Sequence, residues 1–403
     1  MASSIEDKAR DGGVLLVPTG EIRNPRAINT RLLLLIFATL AVLGMTNLYS
    51  ATNGGSLFYT QLRHLGIGTV LLVSFGWLVP PRIINTYSYW LFGVVSIMLA
   101  IVLIVGDIAG GSQRWIEIGP LRGQPSELAK ISVAIIVARF FYTNRMAQAY
   151  RLRDLWPLAA MVGLIFGLIF PQPDLGTAGL CLMIAVGQLA FIRIDTRSFM
   201  VVVVASLVVG VIGWNAFLHD YQRLRVMNLL NPQLDPGGSG YNSLQSLVAV
   251  GSGMLTGKGF MQGTQTQLQF LPERHTDFIF SVFAEEHGFW GAAFVFALFA
   301  ACCYIALVIA RQAKDTFGGL LAIGLAVFMF VEFAINTAMV LGLFPVVGIP
   351  LPLFSYGGSA YLSICIAFGM LISIDRDNLG RFRRQRSLGR SQREGTVRST
   401  AKA

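Results

Sequence analysis

RLLLLIFATLAVLGMTNLYS, residues 31–50, carries one charged side chain, Arg31, at its edge and none behind it. A bilayer core about 30 Å thick is crossed by roughly 20 apolar residues in a helix, and this stretch has that length. Runs of the same kind recur at about 64–80, 89–106, 126–143, 156–170, 176–193, 199–217, 277–310, 319–342 and 353–374. The pattern predicts an all-α, polytopic membrane protein with about ten transmembrane helices. A basic segment precedes residues 32–40, as in a signal peptide, but the length of the run and its polar lead favour a retained span.

Composition points the same way. Of 403 residues, 54% are hydrophobic and 13% charged, and the mean hydropathy is +0.62. Soluble domains are about a quarter charged, so soluble, disordered and fibrous classes are excluded. Cys181, Cys302, Cys303 and Cys365 all lie inside apolar runs, where disulfides would have no loops to staple, and the four histidines keep no metal-ligand spacing to them. The net charge of +10 is read by position relative to the bilayer, and no nucleic-acid partner is expected. An even number of spans puts both termini on one side, which holds 22 Lys and Arg against 7 opposite. The positive-inside rule therefore expects cytoplasmic termini.

The expected organisation is a cytoplasmic segment 1–30, a membrane domain 31–374 and a basic cytoplasmic tail 375–403, with residues 381–393 read as a solvated, flexible stretch near anionic headgroups. Residues 218–276 form one large extracytoplasmic loop, and connections of that length are usually functional. Within it, residues 243–255 are apolar but too short to span, so an interfacial or re-entrant segment is expected. Eight glycines between Gly237 and Gly263 serve either close approach to a ligand or plain flexibility.

Ionisable groups inside apolar runs are costly and face a cavity or a partner. Glu127 and Lys130, in QPSELAK, share one face of the fourth predicted helix. They are either a self-neutralising pair or a lysine aimed at an anionic substrate, with Glu127 holding its ammonium. In LPERHTDFIFSVFAEEHGFWG, residues 271–291, Asp277, Ser281 and Glu285 recur every four residues and Glu286 points elsewhere. That polar stripe is expected to line a water-filled groove. Thr276 and Asp277 have a second reading, as the N-cap and dipole partner of the eighth helix. Trp115, beside Arg114 in GDIAGGSQRWIEIG (106–119), is an interfacial anchor or a platform for a sugar face. PQPDLGTAG (171–179) and FPVVGIPLPLFSYGGSA (344–360) read as helices broken at a cavity or as turns.

Six motifs, found in order between about residues 30 and 375, carry a family resemblance: QRWIEIG (113–119), QPSELAK (124–130), QPDLGTA (172–178), HDYQRLRVMNLLNPQLDPGGSGYNSLQS (219–246), GKGFMQGTQTQLQFLPERHTDFIFSVFAEE (257–286) and PLPLFSYGGSA (350–360). Together they resemble the SEDS family of bacterial shape and division proteins. The arginine in PERHTDF and the GTQTQLQF approach are similar to its RodA, rod-shape branch, whereas the FtsW branch reads PEAHTDF. The resemblance implies a peptidoglycan glycosyltransferase in the bacterial inner membrane, polymerising lipid II into β-1,4 glycan on the outer side for cell elongation. It also implies a class B penicillin-binding transpeptidase and the elongation machinery as partners. By the same resemblance the catalytic aspartate falls on Asp277, and the sensitive tryptophan and Glu/Lys pair on Trp115, Glu127 and Lys130.

The chemistry suits these residues. A sugar hydroxyl must lose a proton to attack an anomeric carbon, while pyrophosphate leaves without a protonated acid, so one general base is enough. Glycosidases, with poorer leaving groups, commonly use two carboxylates. Charge on the departing pyrophosphate needs fixed cations or a divalent ion such as Mg2+ or Mn2+. The candidates are Lys130, Arg114, Arg223, Arg225 and Arg274, with Glu285 a further substrate-facing group on the stripe. An α-linked donor attacked from the rear gives a β-linked product with inversion. Rival readings are a lipid II flippase or other transporter, and a non-enzymatic cell-wall scaffold. The stripe's position at the outer surface favours the enzyme. Small residues at 291–293 and 318–324 are the expected lipid-facing surface for the partner's transmembrane helix.

Overall fold

The computed structural model describes residues 28–400 except 106, 110–111, 119–120, 147–148, 173, 214–219, 232–237 and 269. Among the described residues, ten long helices match the ten predicted spans one for one: α1 (Ile28–Thr52), α2 (Ser56–Val73), α3 (Pro81–Val105), α4 (Pro125–Thr143), α5 (Leu152–Ile169), α6 (Leu175–Leu189), α7 (Thr196–Ile212), α11 (Ile279–Gln312), α12 (Thr316–Val340) and α13 (Gly358–Thr400). One π-helical turn, Ser74–Leu78, extends α2. The expected basic tail continues α13 as helix to Thr400. By length and composition α1, α3, α5, α11, α12 and the first part of α13 qualify as membrane spans. Helix α4 does not, because it carries Glu127, Lys130 and Arg139.

Its charge is tolerated because α4 is enclosed. Almost every α4 side chain is buried, and 83% of the apolar window of α12 is buried, against 22% for α3. Helices α4 and α12 therefore form the centre and α3 faces outward. Gln188 of α6 joins them, its Nε2 donating to Ala134 O at 3.1 Å and Leu320 O at 2.9 Å. Gly324 makes room for it, since a Cβ there would lie 2.4 Å from that nitrogen. At the face carrying the termini, Asn29 and Thr30 of α1 donate to the Asp375 carboxylate of α13 at 3.1 and 2.6 Å.

The opposite face is more structured than a set of loops. Residues 107–123 make an antiparallel meander of β1 (Asp107–Ala109), β2 (Ser112–Ile118) and β3 (Leu121–Gly123), with Trp115 on β2. The expected loop 218–276 contains α8 (Asp220–Leu230), α9 (Ser239–Ser252) and the single turn α10 (Thr264–Gln267). Helix α9, over the segment expected to be interfacial or re-entrant, packs against α11 and the end of α12. Ser246 Oγ lies 2.7 Å from both Ser281 Oγ and Val340 O.

Helix α11 is broken at Gly288, whose φ of 64° and ψ of −163° suit glycine. A break inside a bilayer needs other protein groups to take up the released backbone. Residues 254–259 do so. Phe289 N donates to Met254 O and Trp290 N to Leu255 O, at 2.9 and 3.2 Å. In return, Lys258 N and Gly259 N donate to the carbonyls of Glu285 and Glu286, both at 3.0 Å. The close approach requires Gly257, with φ +79°, where a Cβ would lie 2.1 Å from Glu286 O. Here the glycine-rich stretch serves helix-to-segment pairing, which neither sequence reading foresaw.

Gly257→Ala should therefore destabilise the protein by about 2–4 kcal/mol, through a backbone clash added to a strained φ. Gly66→Ala, facing open space, should stay within about 0.5 kcal/mol of wild type. Thermal unfolding of the detergent-solubilised chain checks both, and equal melting temperatures would sink the account of the break.

Candidate functional site

Helices α4, α6 and α11 begin, and α12 ends, on the face opposite the termini. Between them lies a cleft of about 350 Å³ lined by Trp115, Glu127, Lys130, Asp174, Asp277 and Tyr356, among others. Four segments distant in sequence thus converge on one site.

Asp277 is half-buried in the turn before α11. That turn is stitched to the proline-rich segment after α12. Asn336 Nδ2 donates to Asp277 O at 2.8 Å and to Ile349 O at 2.7 Å. Ser355 Oγ donates to Thr276 O at 2.6 Å, and Tyr356 N to His275 O at 2.8 Å. A Cβ on Gly348, whose φ is +78°, would lie 3.3 Å from Asp277 Oδ2. The absent side chain leaves space beside the carboxylate.

The N-cap reading of this turn is corrected. Helix α11 starts at Ile279 and its cap, Phe278, offers no side-chain bond. Thr276 Oγ1 donates instead to Glu273 O and Oε2, at 3.2 and 2.9 Å. Burial holds His275 below the ordinary histidine range, with Glu273 pulling it up and Arg274 pushing it down. A neutral ring, 6.2 Å from that of Tyr356, adds no charge beside Asp277 at neutral pH.

Glu127 and Lys130 pair as expected, Nζ to Oε2 at 2.7 Å. Sequence reasoning missed the second carboxylate: Glu332 of α12 also binds the Lys130 ammonium, and the Phe328 ring lies 5.3 Å from it. At 1% side-chain exposure, Lys130 is the floor of the cleft. Its ammonium is already held by two carboxylates, so it sets the geometry of the site more than it offers a bare cation. Asp174, read from the sequence only as part of the proline break at 171–179, lines the cleft; it accepts from Thr177 N and Gln124 Nε2, both at 3.2 Å, and so ties the start of α6 to the start of α4. Both were legible as lone carboxylates: Glu332 within an apolar helix and Asp174 in a proline break.

Other expectations are redirected. Of the stripe, Asp277 lines the cleft, whereas Ser281 and Glu285 do not, because α9 and α10 cover them. Glu285 is fully buried and accepts from Lys258 Nζ at 2.7 Å, Gln265 N at 3.0 Å and Thr266 N at 3.3 Å. It lies away from the cleft and closes the 258–267 segment onto α11. Glu286 turns toward α1 and bonds Ser50. Arg274 also points away, donating to Ala51 O at 2.8 Å and Thr266 O at 3.0 Å. Arg223 pairs with Asp220 along α8 at 3.7 Å, outside the cleft lining. The side chain of Arg114 lies outside the described residues, though its backbone is on β2. Arg225 donates to Val346 O at 3.1 Å and lines an apolar groove of about 230 Å³. This groove opens beside the cleft and shares Asp174, Leu180 and Ile349 with it.

Comparison with known proteins adds a family. The model FTSW_RODA_SPOVE, described as cell cycle protein, matches residues 26–379. Peptidoglycan glycosyltransferase MrdB of Escherichia coli (strain K12) is 40% identical over 346 residues, covering 85% of this chain and 92% of that protein. Probable peptidoglycan glycosyltransferase FtsW of Aromatoleum aromaticum is 36% identical over 357 residues, covering 83% and 85%. A solved peptidoglycan synthase complex, described as coordinating polymerisation and crosslinking, contains a chain of similar fold. Its TM-score is 0.74 at 30% identity, over 86% of this chain and 97% of that one. The rod shape determining protein RodA of Thermus thermophilus gives 0.65 at 26%, over 86% and 96%.

Lys130→Met, which leaves two buried carboxylates unpaired, should cost about 3–5 kcal/mol of stability. Adding Glu332→Gln should recover part of that loss, because one uncompensated charge goes with it. Unfolding temperatures of the two single variants and the double variant close the cycle. Strictly additive losses would show that the two side chains do not interact.

Proposed function

The chain belongs to the FTSW_RODA_SPOVE family, and from that premise we propose that it is a peptidoglycan glycosyltransferase of the rod-shape type, with Asp277 as general base and lipid II as substrate. One observation carries the reading: a carboxylate faces the cleft with open space beside it, at the point where a polar site meets an apolar groove. A lipid-linked sugar pyrophosphate has that same division, and its hydrocarbon chain fits the groove. Asp277 takes the proton from the 4-hydroxyl of the acceptor sugar. The oxygen bonds to the donor's anomeric carbon from the rear, the carbon–pyrophosphate bond breaks and the configuration inverts. Asp277 then releases its proton to water. Positioning of the base within hydrogen-bond reach is worth about 10²–10⁴ in rate.

Among the described residues no three His, Cys, Asp or Glu side chains gather as a metal site. Charge on the leaving pyrophosphate is assigned to Arg225 at the groove. Trp115, half-buried in the cleft wall, offers a flat face to a sugar ring.

A multi-pass membrane protein of this family is oriented, in our reading, with both termini in the cytoplasm and the cleft outside the inner membrane. A class B penicillin-binding transpeptidase is the proposed partner. Its transmembrane helix fits the apolar hollow of about 610 Å³ at the α11 break, lined by Gly288, Ala292 and Ala293 with Phe289 and Met254 exposed at its edge. The part of the expected surface at 318–324 is corrected: those residues are buried inside the bundle.

Asp277→Asn should lower polymerisation of lipid II by about 100-fold or more without moving the unfolding temperature. A gel of the glycan product, with and without the transpeptidase, measures it. Normal polymer from this variant would overturn the assignment of the base while leaving the family intact.

Orientation is tested separately, in a background freed of native cysteines. Asp220→Cys, exposed at the start of α8, should react with a membrane-impermeant thiol reagent in spheroplasts, and Arg153→Cys, exposed near the start of α5, should react only after lysis.

A further inference from the structure

On the face carrying the termini, the ends of α3, α4 and α12 enclose a second polar pocket, of about 410 Å³, that the reaction does not use. Its lining includes Arg82 in the first turn of α3, Asn85 one turn on, and Tyr142 and Arg145 at the end of α4. Arg139 stands behind them. Its Nη1 donates to Asn85 Oδ1 at 2.8 Å, its Nε is buried with no partner in the structure, and its guanidinium lies 5.7 Å from the ring of Tyr142. Arg145 lies 5.0 Å from the same ring. Among the described residues neither Arg82 nor Arg139 has a carboxylate partner. One acidic side chain, Asp315, also lines the pocket, and its Oδ1 accepts from Gly318 N at 2.7 Å as the cap of α12.

Arg82 and Arg139, which lack a carboxylate partner among the described residues, stand with Arg145 against the one carboxylate of the lining, Asp315, so the hollow keeps a net positive charge that a compact anion would offset. The setting says which anion. Tyr87, Tyr89 and Trp90, exposed on α3 within three turns of Arg82, form a short belt of the kind that sits at headgroup level. Long arginine side chains near helix ends reach that same level.

We infer that this pocket holds the phosphate of an acidic phospholipid from the leaflet on the side of the termini. Arg82 and Arg145 hold its oxygens, Arg139 contributes charge from behind, and the acyl chains lie along the exposed apolar face of α3. The site is on the opposite side of the bundle from the cleft and does not rest on the proposed reaction.

Native mass spectrometry of the full-length chain in detergent, titrated with phosphatidylglycerol and in parallel with phosphatidylcholine, tests the inference. Wild type should take its first phosphatidylglycerol about tenfold more tightly than phosphatidylcholine. Arg82→Gln with Arg145→Gln should remove that preference, while Arg31→Gln with Arg153→Gln, exposed arginines of the same face, should keep it. An unfolding temperature unchanged from wild type in the first double variant, together with lost preference, separates lost binding from lost folding. Equal affinity for both lipids in wild type would overturn the inference, as would a preference retained by Arg82→Gln/Arg145→Gln. Displacement of phosphatidylglycerol by millimolar inorganic phosphate would identify the ligand as free phosphate and would also overturn the lipid assignment.

Discussion

An ammonium held out of water between two carboxylates, Lys130 between Glu127 and Glu332, joins the two enclosed helices of the bundle, α4 and α12. A charge so buried persists only where its partners are in place, so the pairing fixes how far one helix is slid along the other. The consequence reaches the cleft. Asn336 lies one turn beyond Glu332 on the same face of α12, and it carries the hydrogen bonds that hold the Asp277 turn against Ile349. The distance between cleft floor and cleft wall is therefore set along a single helix.

A second constraint acts through the backbone. The broken α11 would expose peptide groups inside the bilayer, and the 254–259 segment pairs with them. Much of the charge near Asp277 serves that end. Glu285 and Arg274 bind backbone and hydroxyl groups of the 258–267 segment and the end of α1. They build the wall on which the reactive carboxylate stands.

Ten helices were legible because a bilayer imposes length and apolarity on every crossing, and both are properties of a local window. Asp277, Glu127, Lys130 and Trp115 were legible as charged or aromatic exceptions within or beside such windows, and their motifs resembled one family. Partnership was not legible. Glu332 lies far along the chain from Lys130, and nothing in its own apolar helix announces the lysine it meets. The same gap explains Glu285 and Arg274, whose charge was visible while the backbone groups that take it up were tertiary. The outer segment failed as a loop for another reason. Its glycines resemble flexible connection in sequence, whereas Gly253 and Gly257 are small so that two backbones can touch.

The cleft is open on its flank, where Asp174, Leu180 and Ile349 belong equally to it and to the apolar groove. A substrate whose hydrocarbon chain lies in that groove arrives by diffusion in two dimensions. Its effective abundance is then a mole fraction among the surrounding amphiphiles and not a molarity in the buffer. Adding inert detergent or lipid at constant bulk substrate dilutes the surface on which enzyme and substrate meet, and turnover falls although no binding contact has changed.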